Sequence, residues 1–203
     1  MARTVATEPV DHRRATAERN VEAILDAAES LLGDGEATSI AAVAGRAGVS
    51  RVTVYAHFAS REAILQAVVV RAVQRAAAAF DAAAAGAPTA TEALERALAE
   101  SWRTLGRHTS IAQAAAAQLS TDTLRETHES AHGHVRALVE RGRADGEFRT
   151  DVPVEWLVSV FHALLHSAGD DVRAGRLGED EAHHALLTTI RAAFLTAPRL
   201  VSS

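Results

Sequence analysis

The chain has 203 residues, of which 48% are hydrophobic and 23% charged, and its formal net charge at pH 7 is −5. That composition belongs to a globular chain with a sizeable core, and it excludes a protein that coats nucleic acid through a global positive field; any nucleic-acid binding must rest on a local patch. Having no cysteine excludes disulfides, thiolate nucleophiles and cysteine metal sites together.

No unbroken apolar run reaches the roughly 18 residues a membrane-crossing helix needs, and the opening residues hold no apolar segment of the signal-peptide kind. A cytoplasmic chain with no membrane partner is therefore expected. Prolines stand only at 9, 88, 153 and 198, where periodic segments begin or end, and apolar residues between them recur at spacings of three and four. The expected fold is all-α. A first helix, about Ala17 to Leu32, lines up Val21, Ile24, Leu25, Ala28, Leu31 and Leu32 and stops at the Gly-Asp-Gly-Glu turn. A short second helix starts at Thr38-Ser39-Ile40, where either hydroxyl can cap it, and ends at Gly48. A third runs from Ser50 to about Phe58, and a long fourth from Ser60 to the Gly-Ala-Pro turn at residues 86–88. Further helices are expected near Thr91–Arg107, Ser110–Leu119, Thr121–Arg143, Pro153–Ala174 and Glu179–Thr196, about nine in all. Short helices come first and long ones after, so the chain divides into a three-helix N-terminal head at 1–65 and a larger helical bundle at 66–203.

Within the head, Ala44, Gly48, Val49, Ser50 and Val54 follow the spacing of a helix-turn-helix. The small Ala44 lets two helices cross closely, Gly48 reverses the chain, Val49 plugs the corner, Ser50 caps the next helix and Val54 faces back to the core. Such a unit presents the first turns of its second helix to the major groove. Arg51, Val52, Thr53, Ala56 and His57 are left at the N-terminal end and outer flank of that helix. Arginine can pair with guanine O6 and N7, threonine and alanine can meet a thymine methyl, and the Tyr55 hydroxyl and the His57 imidazole can bond phosphate oxygens. The alternative is that Tyr55, His57 and Phe58 fill a small core beneath the helix. No acidic residue occurs between Glu36 and Glu62, while Arg46, Arg51 and Arg61 do, so the local positive patch exists. Arg13, Arg14 and Arg19 add charge at the start of the first helix.

The run Thr38, Val43-Ala44, Gly48-Val49-Ser50, Thr53, Tyr55, His57-Phe58 and Arg61 resembles the DNA-binding head of the tetracycline-repressor (TetR) family of bacterial transcriptional regulators. It departs from that pattern in having arginine at 61, where lysine is usual, and alanines at 41 and 42, where polar residues are common. The resemblance implies that Arg51, Val52, Thr53 and Ala56 face bases, that Tyr55, His57 and Arg61 hold phosphates, and that Thr38, Ser39 and Ser50 join them at the helix starts. It also implies a ligand-responsive DNA-binding regulator, a repressor of a nearby operon released from a palindromic operator by a small-molecule effector.

In the bundle, the last two helices offer a homodimer interface. Leu157, Val160, Phe161, Leu164 and Ala168 form one apolar face, and His183, Leu187, Ile190, Phe194 and Ala197 a heptad-like row. By the same resemblance an effector lies between the long helices, with Trp102, His128 and Phe161 as candidate ligand-binding residues, and the scarcity of inward charges points to an apolar or aromatic molecule. No cofactor and no metal site is expected. The rival reading is a histidine-based metal-binding protein or metalloenzyme, because His128 with His132 and His162 with His166 each sit one turn apart, although their faces on the helical wheel weaken it. There is no nucleophile elbow, no phosphate-binding glycine loop and no pair of carboxylates on an apolar face, so catalysis is not expected.

Overall fold

The structure is a computed structural model that describes residues 8–116 and 121–196, with side chains described over 14–105 and 132–196. Arg13 and His128, as side chains, and Ala197 lie outside the described residues. Among those described the fold is all-helical, with eight helices: α1 Glu8–Gly33, α2 Ile40–Ala47, α3 Arg51–His57, α4 Arg61–Ala84, α5 Ala90–Ala116, α6 Thr121–Ala144, α7 Val154–Arg173 and α8 Glu179–Phe194. The one sheet-like element among the described residues is a single antiparallel bridge between Phe148 and Leu195.

Two of the expected helix boundaries differ. α1 begins at Glu8, nine residues before Ala17, because Pro9 falls in the first turn, where its missing N–H has no intrahelical partner to lose. The expected break at Gly106–Thr109 is absent, and α5 continues to Ala116. One interior glycine costs a helix about 1 kcal/mol relative to alanine, too little to stop one that is alanine-rich on both sides.

The chain separates into two compact units, one of Met1–Arg71 with Ser110–Ser120 and the other of Ala72–Thr109 with Thr121–Ser203, so the division falls inside α4. In the first, α1, α2, α3 and the opening turns of α4 bury Ile24, Leu25, Ala28, Leu31, Val43, Ala44, Val54, Ile64, Leu65 and Val68. Gly48 takes φ +69°, a left-handed conformation that a side chain would strain, and Val49 N–H bonds back to Ala44 O at 3.0 Å. This is the tight turn between α2 and α3 that the spacing implied.

In the second unit, α5 to α8 and the end of α4 enclose a core built on Phe80, Leu94, Leu98, Val135, Val139, Phe148, Leu157, Phe161, Leu186, Ile190 and Phe194. Gly142 is required there: a Cβ at that position would lie 2.3 Å from the ring of Phe148, which is fully buried and meets Phe194 edge-on at 5.8 Å. Glu147 fastens the start of α5, its carboxylate accepting the N–H of Ala90 at 3.0 Å and of Thr91 at 2.9 Å and the Thr91 hydroxyl at 2.7 Å. These donors, the Thr91 hydroxyl foremost, hold its carboxyl below the usual glutamate range.

α4 is long and apolar enough to cross a bilayer, although Arg71, Gln74 and Arg75 interrupt its apolar residues. Ile64, Leu65, Val68, Val69 and Phe80 of this helix are buried within the protein itself, and Val70 is exposed.

Candidate nucleic-acid interface

Both helix starts of the helix-turn-helix are built by serine. Ser39, extended at φ −71° and ψ 154°, accepts the N–H of Ala42 at 3.2 Å, and Ser50, at φ −74° and ψ 155°, accepts that of Thr53 at 3.0 Å. A cap of this kind contributes about 1 kcal/mol, which matters for a seven-residue helix such as α3 that could not persist alone. The hydroxyls of Ser50 and Thr53 lie 2.8 Å apart, so the threonine hydroxyl is satisfied locally and its methyl group remains for a base edge.

α3 buries only Val54. Val52 is 78% exposed and Tyr55 58% exposed, two of the four large hydrophobic side chains exposed among the described residues. Arg51 and Ala56 are exposed as well, and Thr53, His57 and Phe58 are half-buried. A core role is therefore excluded for Tyr55, and Phe58 ends the helix in an extended conformation at φ −132° and ψ 119°. A short helix that turns a valine, a tyrosine and an arginine outward while anchoring through one valine has the form of a contact surface.

The charges support the same surface. Arg51 forms no hydrogen bond or ion pair among the described residues. Arg46, in contrast, donates to Ser30 Oγ at 2.7 Å, Asp34 Oδ2 at 3.1 Å and Glu36 Oε1 at 2.9 Å, so the carboxylates on the N-terminal side of the acid-free window are already matched by a cation. Glu62 closes the window in the first turn of α4. Its own backbone amide and then the Ser60 hydroxyl hold its carboxyl below the usual range, so it is ionised at neutral pH. Ser60 also caps α4, accepting the N–H of Ala63 at 3.2 Å.

Thr38 and Arg61 stand differently from the other expected DNA contacts. Thr38 is 2% exposed. Arg61 donates from Nε to its carbonyl oxygen at 2.9 Å and from Nη2 to its hydroxyl at 3.0 Å. The pair ties the start of α4 to the loop before α2 through two of the five N–H donors of the guanidinium. Ser39 and Ser50 are exposed, but their hydroxyls already serve as caps.

The ligand-binding candidates lie in the second unit. Phe161 is 1% exposed and meets Phe80 edge-on at 5.9 Å, as part of the closed core. Trp102 is half-buried against that core and stacks on His183 at 6.1 Å, with 12° between the rings. His183 was missed as its partner, because the two are 81 positions apart and only the packing of α5 on α8 joins them. Of the expected interface stripes, Leu157, Phe161, Ile190 and Phe194 are consumed in the chain's own core, leaving Val160, Leu164, Ala168, His183 and Leu187 half-buried and Trp156 60% exposed. Among the described residues no three histidine or acidic side chains gather as a metal site requires. His132 and His162 do come together, ring centroids 4.6 Å apart, and His134 Nδ1 lies 2.8 Å from Asp81 Oδ2.

Residues 24–68 match the family described as bacterial regulatory proteins, tetR family. No protein of curated function matches the sequence. Among solved structures, a TetR family transcription regulator from Marinobacter aquaeolei VT8 is similar with a TM-score of 0.68 at 18% identity, over 91% of this chain and 100% of that one. The repressor SmeT of the Stenotrophomonas maltophilia multidrug efflux pump SmeDEF is similar with a TM-score of 0.69 at 21% identity, over 90% and 96% of the chains. The regulator FadR from Bacillus subtilis, solved in complex with stearoyl-CoA, is similar with a TM-score of 0.72 at 15% identity, over 85% and 98%. At these identities the likeness is one of fold.

Proposed function

We propose that the chain, whose head matches the tetR family over residues 24–68 and whose fold is that of TetR family regulators, is a ligand-responsive repressor of a nearby operon, acting as a homodimer on a palindromic operator. The observation that carries this reading is the outward face of α3, where Arg51, Val52 and Tyr55 are exposed on a helix whose start is capped by Ser50. Arg51 reads a guanine edge, Val52, Thr53 and Ala56 meet bases through apolar contacts, and Tyr55 and His57 bond phosphates.

A single seven-residue reader spans too few base pairs to select an operator, which favours two readers about one DNA turn, roughly 34 Å, apart. The homodimer uses the outer sides of α7 and α8, where Trp156 is the one large exposed apolar side chain among the described residues of those helices. The effector is an apolar or aromatic molecule held in the helical bundle near the Trp102–His183 stack. The similarity to FadR, which was solved with stearoyl-CoA, agrees with a ligand of apolar character. Release from DNA requires the effector to bind the non-binding conformation more tightly than the DNA-binding one, since equal affinity shifts nothing.

Binding-site selection from random duplex DNA, followed by electrophoretic shift with the recovered sequence and with the DNA flanking the gene, tests this reading. A recovered palindrome bound in a salt-sensitive manner supports it; no enrichment of any sequence overturns it.

A further inference from the structure

Arg71 and Thr38 are the two buried polar side chains among the described residues, and Arg71 is the charged one, at 8% exposure. It ends the first segment of the first compact unit, within α4. Its guanidinium meets three carboxylates of α1. Nη1 lies 2.8 Å from Glu22 Oε2 and 2.9 Å from Asp26 Oδ1, while Nη2 lies 2.8 Å and Nε 3.0 Å from Glu29 Oε1. Glu22, Asp26 and Glu29 are four and then three residues apart, so they form one stripe along α1.

A planar guanidinium has five N–H donors in a fixed fork and can serve all three carboxylates from one place, whereas an ammonium is a point charge without that geometry. Burying such a charge is costly, and an apolar pair of equal volume usually stabilises as well or better. The cluster's distinctive contribution is therefore register, because three acids on one stripe and one fork fit together in one position.

We propose that Arg71 is a positioning residue for DNA binding: it locks α1 onto the opening turns of α4, making α1, α2, α3 and α4 up to Arg71 one rigid head in which the reading helix keeps a fixed orientation. The inference rests on the DNA-binding reading of α3.

The test compares wild type, Arg71→Lys and Glu29→Gln in the full chain. Arg71→Lys keeps the charge and loses the fork; Glu29→Gln keeps the shape and loses the least exposed carboxylate of the three, so it serves if the lysine variant does not fold. Two readouts are taken. Hydrogen exchange of residues 20–33 requires no DNA, and should quicken about tenfold or more in the variants with α7 and α8 unchanged. Affinity is then measured for the tightest palindromic duplex selected by wild type and for a scrambled duplex. The palindrome should be bound about tenfold or more weakly by Arg71→Lys and the scrambled duplex within about twofold of wild type, a separation that mere loss of folded protein cannot produce. Unchanged exchange in α1, or a folded variant that keeps wild-type affinity for the palindrome, overturns the proposal. If wild type selects no duplex, the DNA-binding reading fails instead, and exchange alone decides whether Arg71 holds α1.

Discussion

Replacing Arg51 with alanine tests the base reading proposed for it apart from everything else in the head. The side chain is exposed at the first position of α3 and forms no ion pair or hydrogen bond among the described residues, so its loss leaves no buried partner unsatisfied. A surface change of that kind costs about 0.5 kcal/mol at most, which for a chain of this length moves Tm by less than about 2 °C. A lost bidentate contact to guanine costs about 1–3 kcal/mol, or roughly 5- to 150-fold in affinity per half-site. In a two-fold dimer the loss counts twice, about 2–6 kcal/mol for the whole operator. The assay is fluorescence anisotropy on the selected palindrome, on palindromes changed at each base pair, and on a scrambled duplex. Discrimination should fall at one position of each half-site, while the scrambled duplex loses only the non-specific contribution of one cation per protomer. Affinity within twofold of wild type on the palindrome, or an equal loss on every sequence, would refute the assignment of Arg51 as a reader.

On the proposed reading Tyr55→Phe removes a phosphate contact and no base contact, so affinity should fall about equally for all sequences, and the slope of log affinity against log salt, measured from 50 to 300 mM, should keep its value because no charge is lost. Gly142→Ala forces a methyl group onto the buried Phe148 ring, an overpacking cost of about 1–3 kcal/mol that should lower Tm by about 3–10 °C in a thermal melt. For Glu147→Gln, urea unfolding at neutral pH should show about 1–2 kcal/mol lost from the start of α5, with the partial exposure of the site limiting the value. The pH dependence has a definite sign. Because the folded carboxyl titrates below its unfolded value, its contribution is complete above the unfolded pKa and disappears as pH falls through the folded one. The gap between wild type and Glu147→Gln should therefore begin to close only as pH falls below the ordinary glutamate pKa of about 4.3, and go on closing in stronger acid; a gap that widens in acid contradicts the carboxylate cap.

What could be read from the residues alone was the part decided by local chemistry. Ser39 and Ser50 cap because a hydroxyl at a helix start has N–H groups within reach, and Gly48 turns because only glycine takes a positive φ there without strain. The outward face of α3 follows from the same local geometry once Val54 is fixed as its anchor, and it settles the choice left open for Tyr55. Features that depend on distant packing stayed hidden. Arg61 has the same local pattern whether it points to a phosphate or to Thr38, 23 positions earlier, and only the tertiary fold chooses Thr38. Phe161 and Phe194 are expected on the interface stripes, and the structure buries both in the chain's own core. The link at Arg71 had a visible sign, the acidic stripe Glu22, Asp26 and Glu29 on a helix otherwise apolar along its core side, but its cation lies 42 positions beyond the last of them.

The central claim is that the acid-free face of α3 binds DNA specifically although the chain as a whole is negative. Its most direct measurement is a titration of the wild-type protein against the tightest palindrome recovered by selection, repeated at several salt concentrations alongside a scrambled duplex. The expected result is a preference of about 10³-fold or more for the palindrome, half-sites centred about one helical turn apart, and log affinity falling linearly with log salt. Equal binding of the two duplexes, or binding to neither at low salt, would contradict it.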